Sequence, residues 1–200
     1  MNDQRNKSIY RVTLWGAIVN FILVALKFVA GILGHSAAMI ADAVHSLSDL
    51  LTDFIVVFFV RISSKPADED HHYGHGKYET LATLLVGGSL LAVGVLLLKD
   101  SGEKIVNAIH GNPPIVPGAI AFGAAVASIV LKEFIYRVTV RVGREVKSDA
   151  VIANAWHHRT DALSSIGTGV GIGGALLLGS DWAVLDPIAA SVVSILILFT

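Results

Sequence analysis

Long apolar stretches dominate this chain of 200 residues and restrict what it can fold into. About 20 apolar residues in an α-helix are enough to cross the roughly 30 Å hydrocarbon core of a bilayer. Five such windows run over residues 12–33, 37–60, 80–98, 115–140 and 150–178, and a sixth begins near Asp186 and Pro187. We therefore predict an all-α membrane protein with six transmembrane helices. Asp186 is expected to cap the sixth helix, with Pro187 in its first turn.

The composition supports the membrane class. Hydrophobic residues make up 54% of the chain and charged residues only 16%, whereas soluble domains carry about 25% charged residues. The chain has no cysteine, which excludes disulfides and thiolate metal ligands. Its net charge of −1 gives no indication of a nucleic-acid partner. The polar first eleven residues enter an apolar run without a cleavage site, which favours a first membrane span over a removed signal peptide.

The distribution of Lys and Arg predicts the orientation, because cytoplasmic loops are enriched in both. One side of the predicted bundle would hold only Lys99 and Lys104. The other side would hold Arg5, Lys7, Arg11, Arg61, Lys65, Lys77, Arg137, Arg141, Arg144 and Lys147. We therefore expect both termini to be cytoplasmic.

Two histidine–aspartate pairs lie within the predicted spans, His45 with Asp49 and His157 with Asp161. Each pair is spaced i, i+4, so both side chains share one helix face. A charge near the bilayer centre costs roughly 2.5–3.5 kcal/mol, so such groups are rarely retained without a function. Two imidazole nitrogens and two carboxylate oxygens could form a tetrahedral site for a divalent metal.

The depth of the two pairs supports this metal site over two local hydrogen-bonded pairs that only stabilise helix contacts. Asp49 lies about eleven residues, or roughly 16 Å, from the cytoplasmic end of its helix. Asp161 lies a similar distance along the fifth helix. Both pairs are therefore expected near the middle of the membrane, on antiparallel helices.

Other polar residues within the spans are weaker candidates. Asp42 and Ser46 extend a polar stripe beside the first pair and could form an access path or orient the ligands. We expect Lys27 and Lys132 to extend towards the membrane interfaces. His158 and Arg159 point away from the second pair. The glycines of the fifth helix, at positions 167, 169, 171, 173 and 174, are expected to serve close helix packing.

The loop after the second helix reads PADEDHHYGHGKYE. It places Asp68, His71, His72 and His75 within a few residues of one another. A solvated polar loop is the usual explanation for such charge, but the density of histidine favours a secondary metal site.

Three segments together resemble the cation diffusion facilitator family. They are ADAVHSLSDLLTD in the second helix, HHYGHGKYE in the loop and AWHHRTDALSS in the fifth helix. The resemblance implies that His45, Asp49, His157 and Asp161 form the transport site. It also implies a second metal site at Asp68, His71 and His75.

The resemblance further implies a homodimer in the cell (inner) membrane that exports a divalent metal from the cytoplasm in exchange for protons. A histidine in the second-helix pair resembles the zinc-selective branch of the family, so Zn²⁺ is the expected substrate, with Cd²⁺, Co²⁺ and Fe²⁺ as alternatives. No prosthetic group is expected. Members usually carry a cytoplasmic C-terminal domain, which these 200 residues lack, and we expect the sixth helix to be cut short at Thr200.

Two other uses of the same four residues stay open, an intramembrane metalloenzyme and a metal sensor. A catalytic zinc normally keeps an open coordination position for water. Four protein ligands in one closed shell therefore argue against an enzyme.

Overall fold

The fold is a bundle of α-helices, seen in a computed structural model that describes residues 2–63 and 77–199. These residues form six helices, α1 (Asn2–Leu33), α2 (Ala37–Ser63), α3 (Lys77–Ile109), α4 (Ala119–Glu145), α5 (Asp149–Leu178) and α6 (Leu185–Leu198). A short 3₁₀ turn, Ser180–Trp182, joins α5 to α6.

The predicted class is confirmed by the length and composition of these helices. Five segments of the described chain are long and apolar enough to cross a membrane. They are Lys7–Leu33, Thr83–Ile109, Ala119–Glu145, Asp149–Leu178 and Ser180–Leu198. Large apolar side chains such as Phe21, Leu84 and Leu177 are exposed on the outside of the bundle. In lipid, this is where such side chains are expected.

The fourth helix begins later than the apolar window suggests. The window starts at residue 115, but α4 starts at Ala119, after Gly118 in an extended conformation. Pro117 disfavours helical geometry in the residue before it, so the apolar residues 115 and 116 belong to the connecting segment.

Small side chains fill the core, which lies where α2 begins. Ala38, Ala41, Ala121 and Ala125 are fully buried, and Ala190 of α6 is 1% exposed. Small residues let helix backbones approach closely. This packing holds α2 against α5 and α6, and α4 against α5, and so brings the two helices that carry the His–Asp pairs together.

Asp186 caps a different helix from the one predicted. The residue before α6 is Val184, whose side chain makes no capping bond. The Asp186 carboxylate instead accepts hydrogen bonds from Ser36 Oγ at 2.6 Å and from the Ala37 backbone N–H at 2.7 Å. It therefore caps the N-terminus of α2, where free backbone N–H groups favour a negative charge.

The glycines of α5 confirm the packing interpretation at three of the five positions. A Cβ at Gly171 would collide with Ala189 of α6, and one at Gly174 would lie 2.7 Å from Leu185 Cδ1. A Cβ at Gly173 would lie 2.8 Å from the Phe122 ring.

Candidate metal site

Three of the four predicted metal ligands meet between α2 and α5. Asp49, His157 and Asp161 each offer one ligand atom, and these atoms all lie within 4.8 Å of one another. His157 and Asp161 are one turn apart on α5, with His157 Nε2 3.9 Å from Asp161 Oδ1. Asp49 faces them from α2. The arrangement supplies one nitrogen and two oxygens, a donor set that suits a divalent transition metal.

His45, the fourth predicted ligand, lies one turn before Asp49 on α2 but outside this cluster. Its Nδ1 atom is buried and has no hydrogen-bond partner among the described residues, and the same holds for Asp49 Oδ2. Buried polar atoms are nearly always satisfied in native structures. These two unsatisfied atoms, one on a cluster residue and one on His45 a turn away, are therefore candidates for binding an ion.

Exposure changes steeply along α5. The His157 side chain is 45% exposed, whereas the Asp161 side chain is 7% exposed. One turn further, Ser165 is fully buried and donates a hydrogen bond to Asp42 Oδ2 at 3.1 Å. The cluster is thus accessible from outside the bundle on the side of His157, and it is enclosed by protein on the side of Ser165 and Asp42.

A buried lysine contacts the cluster from α4. Lys132 is 1% exposed, and its Nζ atom lies 3.3 Å from Asp161 Oδ2. The same nitrogen donates to Ser46 Oγ of α2 at 3.4 Å. Lys132 therefore lies between the two helices that carry the predicted ligands.

A second buried lysine forms an ion pair on the closed side. Lys27 of α1 is fully buried, with Nζ 2.7 Å from Asp42 Oδ2. It also donates to Ser46 Oγ at 2.9 Å and to Ser165 Oγ at 3.1 Å. Ser46 is therefore shared by both lysines, and the two ion pairs form one polar network.

The expectation that Lys27 and Lys132 extend to the membrane interfaces is wrong for both residues. Each lies on the inward face of its helix, where a buried aspartate compensates its charge. The sequence of α4 does indicate this burial. Helical spacing puts Ser128, Lys132 and Thr139 on one face, and all three are buried. Its neighbour Glu133 points outward and accepts from Arg137 Nε at 2.8 Å.

The side chains that follow His157 lie outside the cluster, as predicted. His158 is 4% exposed, and neither ring nitrogen has a hydrogen-bond partner among the described residues. It packs beside Gly16, where a Cβ would lie 3.2 Å from its Nε2. Arg159 donates to Tyr136 Oη at 3.1 Å and lies over the Trp156 ring.

The predicted loop site, Asp68, His71 and His75, falls outside the described residues. It stays a prediction.

Comparison with known proteins identifies relatives over nearly the whole chain. Residues 13–200 match the family described as the cation efflux transmembrane domain. The manganese efflux system protein MneP of Bacillus subtilis is 36% identical over 98% of this chain and 66% of its own length. Metal tolerance protein C1 of Arabidopsis thaliana is 35% identical over 97% of this chain and 42% of its own length.

The magnetosome protein MamB of a Magnetospira species is 36% identical over 93% of this chain and 61% of its own length. The chain thus spans between two-fifths and two-thirds of the length of these three relatives.

Proposed function

Because this chain belongs to the cation diffusion facilitator family, we propose that it is a membrane transporter of divalent metal that exports Zn²⁺ from the cytoplasm in exchange for protons. The observation that carries the proposal is the cluster of Asp49, His157 and Asp161 between α2 and α5. The membrane is the cell (inner) membrane in this proposal, with both termini cytoplasmic. His45 completes the site by turning towards Asp49, which lies on the same helix face.

The ligand chemistry supports zinc and proton exchange. Two carboxylates neutralise a divalent ion, so the loaded site is nearly uncharged and tolerable within a membrane. The two histidines must be neutral to bind metal, because a protonated imidazole has no free nitrogen lone pair to donate. Loading therefore releases protons, and protonation from the other side favours release of the metal.

Manganese is the second candidate substrate, because one relative is named as a manganese efflux protein. Oxygen ligands suit Mn²⁺, whereas imidazole nitrogen suits Zn²⁺. Two histidines in the proposed set favour zinc.

The proposed assembly is a homodimer, and the loop residues Asp68, His71 and His75 form a second metal site in it.

The proposal is tested by metal flux into inverted membrane vesicles. Asp49→Ala and Asp161→Ala should each lower the zinc flux by at least about 100-fold, since even substitutions around metal ligands cost about 10–100-fold. His45→Ala in the same assay tests the fourth ligand. Asp100→Ala is the matched control, because its exposed carboxylate pairs only with Lys104 among the described contacts. Unchanged zinc flux in both aspartate variants would refute the site.

Substrate and coupling are separated in liposomes. Zn²⁺, Mn²⁺, Cd²⁺, Co²⁺ and Fe²⁺ compete for flux at a fixed pH, and a pH-sensitive dye inside the liposomes reports proton movement. Zinc export predicts the strongest competition from Zn²⁺ and a proton flux that starts on metal addition. Metal flux without proton movement would refute the exchange.

A further inference from the structure

The ammonium group of Lys132 contacts a proposed metal ligand. Its Nζ atom lies 3.3 Å from Asp161 Oδ2 and 3.4 Å from Ser46 Oγ. We propose that Lys132 is a fixed cation that competes with the transported metal for Asp161 and so keeps the site weak enough to release its ion. This inference rests on the proposed transport site.

Charge and distance place the two cations in opposition, because Lys132 and the metal would share one carboxylate. A metal ion bonded to Asp161 Oδ2 at about 2.1 Å could lie no more than about 5.4 Å from the Lys132 nitrogen. Lys132 is 1% exposed, so water screens little of the repulsion between the two positive charges. Lys132 therefore repels a metal bound at either oxygen of Asp161, and a metal at Oδ2 would displace it from that atom.

The same contact supports the return of the empty carrier. Once the metal has left, Asp161 would be a buried carboxylate without a partner, which is costly. Lys132 is already positioned to neutralise it. A transport site must bind weakly enough to release its ion, and an exchangeable internal cation both weakens binding and neutralises the empty site.

Comparison with Lys27 distinguishes this arrangement from an ordinary structural ion pair. Lys27 binds Asp42 at 2.7 Å and two serine hydroxyls at 2.9 and 3.1 Å. Both contacts of Lys132 are longer, at 3.3 and 3.4 Å. Lys27 is thus firmly held by a carboxylate outside the ligand cluster, whereas Lys132 is loosely held by a ligand.

The test measures Zn²⁺ binding by titration calorimetry on the purified chain in detergent, at one fixed pH. The parent protein and every variant carry His71→Ala and His75→Ala, which remove the predicted loop site. Lys132→Met should lower the Kd for Zn²⁺ by about 10-fold or more, because a buried positive charge near the ion is lost. In liposomes, the same variant should show a lower KM together with a lower maximal rate, since release is slowed.

Arg141→Met is the matched control. It removes one positive charge from the same helix, but its side chain is 82% exposed and pairs with Glu145. Its Kd should equal that of the parent. Lys132→Arg keeps the charge and should also stay close to the parent.

Loss of affinity, or no change, in a folded Lys132→Met variant would overturn the proposal. If that variant is not monodisperse, Lys132→Gln replaces it, since the amide can still donate to Ser46. The variant Asp161→Ala distinguishes a failure of the proposed transport site from a failure of the proposed competition. Unchanged zinc binding in Asp161→Ala refutes the proposed site itself. Weakened binding there, without tighter binding in Lys132→Met or Lys132→Gln, refutes only the competition.

Discussion

Removing the charge of Lys27 should destabilise the bundle strongly. Lys27→Met keeps a side chain of similar length but leaves Asp42, which is fully buried, without its cation. The hydroxyls of Ser46 and Ser165 also lose the hydrogen bonds from Lys27, and Ser46 keeps only the longer one from Lys132. Nothing in the proposed metal chemistry needs Lys27, so this prediction tests the structure independently of the function.

The magnitude follows from burial. Breaking a buried ion pair by removing one partner costs about 3–5 kcal/mol, because an uncompensated charge stays in a low dielectric. The exposed pair Lys104–Asp100 is an internal comparison, since its nitrogen and oxygen are also 2.7 Å apart. Lys104→Met should cost less than about 0.5 kcal/mol, as is usual for exposed i, i+4 pairs. Because the two ion pairs have equal distances but different burial, the difference between the two losses of stability measures the effect of solvent.

The assay is reversible unfolding by SDS in mixed micelles, followed by circular dichroism. The double variant Lys27→Met/Asp42→Asn removes both charges and should recover about 2 kcal/mol of the loss, which a double-mutant cycle measures. Our reasoning fails if Lys27→Met costs no more than Lys104→Met. It also fails if the double variant is no more stable than Lys27→Met alone.

Two further predictions concern helix packing and capping, and the same unfolding assay checks both. Asp186→Ala should cost about 1–3 kcal/mol, because Ser36 and two backbone N–H groups lose a charged acceptor; a loss below about 0.5 kcal/mol would contradict the cap. Gly171→Ala should destabilise by about 1–3 kcal/mol through its collision with Ala189. Gly167→Ala, with nothing within 4 Å of the added Cβ, should be neutral or slightly stabilising.

Local spacing explains how much of the candidate site could be predicted. The i, i+4 separation of His157 and Asp161 puts both on one face of α5 in any α-helix, and the apolar windows around them predict that helix. The same reasoning places His45 and Asp49 on one face of α2. It does not determine how far each side chain extends towards the other helix, and His45 lies outside the cluster that the other three form.

The lysines show why the rest could not be predicted by the same means. The sequence predicts Lys132 at the membrane interface, but Lys132 is buried. Its neighbour Glu133, about 100° away around the helix, is the residue that faces outward. The burial of Lys132 depends on Ser46 and Asp161, which are distant in the sequence. Asp186 likewise has the sequence signature of a cap for its own helix but caps α2, 149 residues away.

The sequence by itself determined the properties that depend on composition and helical period. These are the membrane class, the number of helices, and the two His–Asp faces, since an apolar run and an i, i+4 spacing have the same consequence in any fold. The tertiary structure alone decided which charges meet. It paired Lys27 with Asp42 and Lys132 with Asp161, because a buried charge is stable only where the fold provides a partner. No local pattern specifies that partner.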